Sequence, residues 1–179
     1  MNLLYRRFNP VLDIRAFFDC GDSDLNEFLL ETDTAKPNAS FHGKEMLTVT
    51  YVIEEADTHS IVAYFSLLHD KIDREFSDAT MWNRLSRVIP NSKRRSSYPA
   101  LKIGRLAINK RYQGQGIGGK ILHFIELLYL KKQMAGCRFI TVDALRSASS
   151  FYKKHRFQEL ASSENDETIL MYFDLKSML

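Results

Sequence analysis

The sequence predicts a mixed α/β fold, in which an antiparallel N-terminal half precedes a β–α–β C-terminal half. Two runs rich in β-branched and aromatic residues, at 46–53 and 61–68, flank a polar turn and favour a hairpin. Further along, apolar runs at 100–108 and 138–145 enclose a helical pattern at 116–134, whose apolar residues recur on one face. That alternation is typical of parallel strands joined by a right-handed crossover helix.

The remaining N-terminal segments extend the antiparallel half. Residues 3–8 indicate a first strand, and residues 22–30 indicate a helix. Asp22 or Ser23 can accept hydrogen bonds from the first free N–H groups of that helix, so either residue suits its N-cap. Residues 36–44 are polar and predict a loop.

The segments beyond the hairpin complete the element order. Residues 78–88 favour a helix, and residues 90–99 indicate a loop with basic side chains. A short helix at 147–155 and a last strand at 168–175 are predicted near the C-terminus.

Composition limits the class of protein. The chain is 45% hydrophobic and 26% charged, which is ordinary for a soluble globular protein, and its length suits one domain over residues 1–179. No apolar run reaches the roughly 18–20 residues of a membrane span, and no signal peptide is evident, so we expect a cytoplasmic protein without a membrane partner. Cys20 and Cys137 match no metal or redox spacing and are expected to be free thiols. The net charge of +3 permits an anionic ligand without requiring nucleic acid.

A glycine-rich turn after the predicted strand 100–108 carries the most chemical information. Gly114, Gly116, Gly118 and Gly119 lie close together, just before an apolar helix. Glycine lets a ligand touch the bare backbone, and the free N–H groups at a helix start attract an anion, usually a phosphate. The turn therefore predicts a phosphate-bearing cofactor.

Two nucleotide-binding patterns fit this turn incompletely. Gly114-x-Gly116-x-x-Gly119 fits the dinucleotide fingerprint, but residues 109–113 separate the strand from the first glycine, so the tight turn is missing. The P-loop pattern fits up to its last position, which must be Ser or Thr to hold Mg²⁺. That position is Ile121, a hydrocarbon that cannot ligate magnesium.

A third pattern, Gln113-x-x-Gly116-x-Gly118, resembles the pyrophosphate loop of the GCN5-related N-acetyltransferase (GNAT) family, Arg/Gln-x-x-Gly-x-Gly/Ala. The preceding segment, Arg105-Leu-Ala-Ile108, resembles the family's fourth strand.

A further piece follows in the family's order. Residues 151–157, Phe-Tyr-Lys-Lys-His-Arg-Phe, resemble its Phe-Tyr-x-x-x-Gly-Phe segment, with Arg156 in the position of the glycine. The similarity extends over about residues 47–175.

The resemblance implies an acetyl-CoA-dependent N-acetyltransferase that transfers the acetyl group directly to a primary amine and needs no metal. The loop amides would cradle the coenzyme A pyrophosphate. The pantetheine arm would pair like an extra strand with residues 106–108, where the family's fourth and fifth strands diverge, and a backbone N–H near Ile108 would polarise the thioester carbonyl. The residues expected to bind the coenzyme are Leu106, Ala107, Ile108, Gln113, Gly114, Gln115, Gly116, Ile117, Gly118, Gly119 and Lys120.

Tyr152 is the catalytic residue that the resemblance implies. In this family the matching tyrosine lies near the coenzyme sulfur and protonates the departing thiolate, a role that suits a phenol because it is neutral at pH 7. Residues 101–108 contain no Glu to act as the base, which leaves ordered water or Asp143 as candidates. Tyr64 or Ser66 could line the acceptor pocket.

The N-terminal block, residues 18–29, resembles the opening of acetyltransferase toxins that modify aminoacyl-tRNA, Phe-x-Cys-Gly-x-x-x-Leu-Asn-x-Phe-Leu. Such toxins carry a basic face and pair with a DNA-binding antitoxin. The candidate basic residues here are Lys93, Arg94, Arg95, Lys110, Arg111, Lys153, Lys154 and Arg156. The acceptor stays open between a small-molecule or protein amine and charged tRNA, because a net charge of +3 is modest for phosphate neutralisation. A non-catalytic acyl-CoA-binding module is an alternative function. A homodimer is a further possible assembly.

Overall fold

The structure is a computed structural model that describes residues 2–13, 16–33, 36–90, 95–132, 135–161 and 166–179. Its strands are β1 (Leu3–Arg7), β2 (Val49–Glu55), β3 (Ile61–Asp73), β4 (Ser97–Ile108), β5 (Phe139–Leu145), β6 (Gln158–Ala161) and β7 (Thr168–Asp174). Its α-helices are α1 (Pro10–Asp13), α2 (Ser23–Leu30), α3 (Ala39–Lys44), α4 (Ala79–Arg87), α5 (Ile117–Lys132) and α6 (Ser149–Lys154). The described strands form one mixed sheet in the order β1-β2-β3-β4-β5-β7-β6, which confirms the predicted fold class.

The chain divides into two compact units. The first contains Met1–Leu68 and Gly104–Ile121, and the second contains His69–Ile103 and Leu122–Leu179.

The first unit is built on the predicted hairpin. Strand β2 pairs antiparallel with β1 and with β3, and Val52 lies opposite Tyr64 in the register. Both side chains are buried in a core that also contains Phe18 and Phe28 from the N-terminal block. The Asp22 carboxylate caps α2 by accepting from the Leu25 N–H at 3.1 Å, as predicted.

The second unit contains the parallel pair of the sheet. Strands β4 and β5 are parallel over Ala100–Lys102 and Phe139–Thr141, as the β–α–β pattern predicts. Strand β7 pairs antiparallel with β5 and with β6. A core that includes Trp82, Tyr98 and Phe139 fills this unit.

Besides shifts in element bounds, four segments differ from the sequence prediction, and two of them are helices. Helix α1 was not predicted. The predicted loop 36–44 contains α3, which is capped by Asn38 through a 2.8 Å bond from the Phe41 N–H to the Asn38 Oδ1. Helix α3 is short and includes Gly43, so it has neither the length nor the propensity for a clear periodic pattern.

The other two differences concern strands. Strand β4 begins at Ser97, inside the predicted loop 90–99, of which residues 91–94 lie outside the described part of the chain. Strand β6 was not predicted, because a four-residue edge segment shows too little alternation to be recognised.

Two predictions drawn from composition can be compared with the structure. Cys20 and Cys137 are free thiols, as expected. Among the described residues, no helix is both long enough and apolar enough to cross a membrane.

Candidate active site

The glycine turn follows directly from the end of β4. After Ile108 the chain makes a 3-10 turn over Lys110–Tyr112 and enters α5 at Ile117. Asn109 fixes the start of this turn, because its N–H donates to Val62 O at 2.9 Å and its Oδ1 accepts from the Arg111 N–H at 3.1 Å. The asparagine is buried, and these hydrogen bonds satisfy its polar groups at the end of the strand.

Two glycines give the turn its shape. Gly114 and Gly116 have φ angles of +75° and +74°, a region that residues with a side chain rarely adopt. A β-carbon added at either position would meet no atom within 4 Å. The glycines are therefore required by backbone conformation, and the space in front of them is open to a ligand.

The turn presents a row of unoccupied backbone donors. The Gln113 N–H donates to Lys110 O at 3.4 Å, and the Lys120 N–H closes the first helical turn by donating to Gly116 O at 3.3 Å. Between them, six N–H groups have no acceptor among the described residues: those of Gly114, Gln115, Gly116, Ile117, Gly118 and Gly119. Donors at the positive end of a 16-residue helix suit a multiply charged anion such as a pyrophosphate.

The Gln113 side chain has a structural role in this loop. Its Nε2 donates to Ile108 O and to Cys20 O, both at 2.8 Å. The Cys20 N–H in turn donates to Asn26 Oδ1 at 2.9 Å. Gln113 thus ties the N-terminal block to the end of β4. Its amide nitrogen is occupied by these two protein carbonyls.

The cations beside the loop differ in their partners. Lys110 Nζ lies 2.9 Å from Asp19 Oδ2, and this bond lowers the pKa of the Asp19 carboxyl. The Arg111 guanidinium carbon lies 5.5 Å from the ring centroid of Phe17. Lys120 is exposed on the first turn of α5. Lys110 is therefore partly neutralised, and Arg111 and Lys120 supply the freer charge.

Strand β4 has an open edge just before the turn. The β4–β5 register ends at Lys102, although β4 continues to Ile108. None of the described strands therefore pairs with the backbone of residues 106–108 on that side. An extended chain with amide groups can pair with such an edge.

Tyr152 lies on α6 in the second unit. Its side chain is 7% exposed and packs between Phe151 and Phe157, with ring centroids 5.1 and 5.4 Å away. No described residue hydrogen-bonds to its hydroxyl. Burial raises the pKa of Tyr152 to about 12, so the phenol keeps its proton at neutral pH.

Arg156 occupies the position at which the resembled pattern has a glycine. Its φ is +66°, in the left-handed region that the expected glycine would adopt freely. Its guanidinium carbon lies 5.1 Å from the ring centroid of Phe173, and this contact offsets part of the strain. The turn after α6 thus places an arginine in a conformation that glycine adopts more readily.

Several other candidate residues are engaged elsewhere. Tyr64 and Ser66 are fully buried, and their hydroxyl groups bond to Leu25 O and to Thr50 Oγ1. Neither side chain can line an accessible pocket, which corrects that expectation. Asp143 is exposed and forms an ion pair with Lys102.

The predicted basic residues are not all free. Lys93 and Arg94 lie outside the described residues. Lys153 forms an ion pair with Glu159 at 2.8 Å, and Arg95 and Lys154 are exposed.

Sequence reasoning missed two residues that shape the site. Asn26 orders Cys20 and also donates to Asp19 Oδ1 at 3.1 Å, and Asn109 fixes the end of β4. Asn26 belongs to the Leu-Asn pair of the N-terminal block that resembles the toxin pattern, and this resemblance is the available signal. Nothing in the local sequence distinguishes Asn109 from an ordinary turn residue.

A helix start with six free amide donors, preceded by a strand with an open edge, suits a ligand in which a pyrophosphate is joined to an extended arm. The family model for the acetyltransferase (GNAT) domain matches residues 48–159, more than half of the chain. The chain therefore belongs to the GNAT family and is an N-acetyltransferase. Family membership supports acetyl-CoA as its co-substrate.

Solved structures with the same fold include bacterial toxins. A tyrosine-to-phenylalanine mutant of KacT is 24% identical, with a TM-score of 0.77 over 99% of this chain and 98% of that chain. AtaT complexed with acetyl-methionyl-tRNAfMet is 23% identical, with a TM-score of 0.74 over 99% and 97%. A tyrosine-to-phenylalanine mutant of AtaT, bound to the C-terminus of the antitoxin AtaR and acetyl-CoA, is 23% identical, with a TM-score of 0.67 over 98% and 95%. At these identities the likeness shows the fold.

Proposed function

We propose that this N-acetyltransferase modifies the α-amino group of an aminoacyl-tRNA. The main observation that supports this acceptor is the N-terminal block, residues 18–29, which resembles that of the tRNA-modifying toxins. In this chain the block is tied to the residues before the glycine turn by the Gln113–Cys20 hydrogen bond and the Lys110–Asp19 ion pair. The structural neighbours support the same acceptor, since AtaT is complexed with acetyl-methionyl-tRNAfMet.

The coenzyme side of the site rests on the first unit. The free amides of residues 114–119 would hold the pyrophosphate, with Lys120 and Arg111 adding charge. The open edge of β4 at residues 106–108 would hold the pantetheine arm through backbone hydrogen bonds. These groups fit the coenzyme because each offers donors or acceptors that the protein itself leaves unpaired.

The chemistry needs a neutral amine and a proton for the leaving sulfur. Acetyl-CoA supplies an acetyl group on a thioester, so the amine nitrogen forms a bond to the carbonyl carbon as the carbon–sulfur bond breaks. Tyr152 would donate its phenolic proton to the departing sulfur, and its raised pKa keeps that proton available. A backbone N–H near Ile108 would polarise the carbonyl oxygen. Ordered water would take the proton from the amine, because Asp143 is held by Lys102.

The proposed function implies a partner and a compartment. Charged tRNA places the enzyme in the cytoplasm. A toxin of this kind would need an antitoxin, as AtaT has AtaR and as KacTA forms a complex with DNA. We therefore propose a DNA-binding antitoxin as the partner of this chain.

Acetyl transfer from labelled acetyl-CoA tests this function. The purified chain is incubated with a mixed pool of charged tRNAs, and precipitable label that is released by mild base identifies an acetylated aminoacyl ester. Deacylated tRNA and a mixture of free amino acids serve as matched controls. We expect label on charged tRNA alone. Label on free amino acids or on added protein, with none on charged tRNA, would assign a different acceptor.

A further inference from the structure

Arg105 on β4 is a partly buried arginine without a hydrogen-bonded partner. Its side chain is 27% exposed, and its Nε is buried without an acceptor. Among the described residues none accepts a hydrogen bond from its guanidinium. The carboxylate oxygen paired with it, Oδ2 of Asp24, lies 3.9 Å away on a side chain that is 81% exposed. The four N–H donors on Nη1 and Nη2 of this permanent cation are thus left available, while the Nε–H is buried.

Two other arginines with similar exposure show that this arrangement is unusual for the molecule. Arg138 is also 27% exposed, yet it donates to both carboxylate oxygens of Asp174 at 2.8 and 2.7 Å. Arg6 is 32% exposed and donates to Asp13 and Glu54 at 2.7 to 2.9 Å. Burial therefore does not explain the lack of partners at Arg105. A partly buried guanidinium without acceptors costs stability, and an oxyanion bound at its accessible Nη groups would offset that cost.

The guanidinium of Arg105 is held in a fixed plane. Its central carbon lies 3.8 Å from the ring centroid of Phe28, which is 3% exposed. Phe28 in turn stacks on Tyr64, whose hydroxyl donates to Leu25 O at 2.7 Å. Stacking on an aromatic ring occupies the face of a guanidinium and leaves its edge N–H groups free to bind an oxyanion.

Two further buried polar atoms without partners belong to the same unit. They are Nδ1 of His42 and Oγ1 of Thr48, and His42 packs edge-on against Phe28 with ring centroids 5.5 Å apart. Burial and the charge of Arg105 both lower the pKa of His42, so this imidazole is neutral at pH 7. The cation of this cluster is therefore Arg105, and Asp24 is the carboxylate that opposes it.

The position of Arg105 in the chain relates this cation to the transfer reaction. It immediately precedes residues 106–108, the open strand edge assigned above to the pantetheine arm. An anion held there belongs to the acceptor, because the coenzyme pyrophosphate is assigned to the turn at residues 114–119 and the ribose 3′-phosphate lies beyond it, at the end of the coenzyme away from the pantetheine arm. In charged tRNA the amino-acid carboxyl is esterified, so the oxyanions near the reacting amine are backbone phosphates.

We propose that Arg105 is the phosphate-binding residue of the acceptor site and holds a backbone phosphate near the aminoacyl end of charged tRNA. This inference rests on the proposed function. The planar fork of a guanidinium matches two oxygens of one phosphate, which positions the amine as well as binding it.

Substitution of Arg105 by Gln tests the proposal. We expect the KM for charged tRNA to rise at least about tenfold, as for the loss of one charge-assisted hydrogen-bonded pair. The Kd for acetyl-CoA should stay unchanged. In anisotropy titrations with deacylated tRNA, the slope of log K against log salt should fall by roughly 0.7–0.9, the loss of one phosphate contact. Arg87→Gln, an exposed arginine on α4, removes the same charge and should change neither the KM nor the slope by as much.

Two more variants keep the test decisive if Arg105→Gln folds poorly. Arg105→Lys retains the charge without the fork, so we expect an intermediate KM. Asp24→Asn removes the exposed carboxylate that competes for Arg105, and it should tighten deacylated tRNA binding while leaving the fold intact. Unchanged KM and salt slope in Arg105→Gln, with no tightening in Asp24→Asn, would overturn the proposal.

The two proposals fail in different ways. If the wild-type chain does not acetylate charged tRNA, the proposed acceptor is wrong. If it does, but Arg105→Gln behaves like wild type, only the assignment of Arg105 is wrong. A rise in KM for free amino acids, with no activity on charged tRNA, would assign Arg105 to a carboxylate and overturn the phosphate assignment.

Discussion

At the scale of single residues, Tyr152 combines burial with an unoccupied hydroxyl. A buried tyrosine ordinarily finds a hydrogen-bond partner, as Tyr64 does with Leu25 O. Tyr152 has none among the described residues, although its ring is fixed by Phe151 and Phe157. Rigid placement of a neutral phenol with a free proton is the property that a general acid needs.

Replacing Tyr152 by Phe should remove this proton and little else. We expect kcat to fall by about 100-fold or more, the usual contribution of a general acid, with an unchanged Kd for acetyl-CoA. Because the pKa of Tyr152 is about 12, its ionisation should not limit the wild-type rate at pH values up to about 11. Steady-state kinetics over pH, with calorimetric titration of acetyl-CoA, provide the measurement. Tyr98→Phe, at a tyrosine that is also 7% exposed, is the matched control, and an unchanged kcat in Tyr152→Phe would contradict the acid role.

At the scale of elements, the turn between β4 and α5 explains why glycine occurs where it does. Gly116 has a φ of +74° with open space beyond it, whereas Gly43 in α3 has an equally open surrounding and no positive φ. Both positions have room for a side chain, but only Gly116 has a backbone conformation that requires glycine.

Substituting alanine at each of these glycines should have opposite effects. Gly116→Ala costs about 1–2 kcal/mol in the left-handed region, and relaxation of the turn would redirect the free amides. We expect the Kd for acetyl-CoA to rise at least about tenfold. Gly43→Ala should stabilise α3 by about 0.5–1 kcal/mol and leave that Kd unchanged. Urea denaturation and calorimetric titration report the two quantities, and equal acetyl-CoA affinity in the two variants would refute the amide cradle.

The elements also show what a sequence can and cannot predict. The hairpin, β4, β5 and α5 follow from apolar periodicity, and the glycine pattern located the loop. Helix α3 is too short to show a periodic pattern, and its cap at Asn38 is the main local indication of a helix. Strand β6 forms by pairing with β7, which local sequence does not predict.

The same distinction applies within the site. The motif at Gln113 is visible in the sequence, but the bonds from its carboxamide to Cys20 O and Ile108 O depend on tertiary structure. The lack of a partner at Arg105 is likewise a property of the folded chain. Residue type and spacing predict which backbone segment would bind the coenzyme, whereas the hydrogen-bond partner of each side chain depends on tertiary structure.

At the scale of the whole molecule, the two compact units share continuous elements. Strand β3 passes from one unit to the other after Leu68, β4 passes back after Ile103, and α5 crosses after Ile121. Helices and strands form cooperatively, so melting one part of such an element removes hydrogen bonds and packing from the rest. We therefore infer that residues 1–179 unfold as one domain.

Thermal unfolding with and without acetyl-CoA tests this inference. The loop and strand residues assigned to the coenzyme all lie in the first unit. Acetyl-CoA at about 100 times its Kd should stabilise the native state by about 2.7 kcal/mol. For a chain of this length that raises Tm by roughly 5–10 °C. If the chain is one domain, calorimetry should show a single transition that moves as a whole. Gly116→Ala should lose about half of the shift or more, for a Kd that rises at least about tenfold, and Arg105→Gln should keep the shift. Two transitions, of which acetyl-CoA moves only one, would show that the units unfold independently.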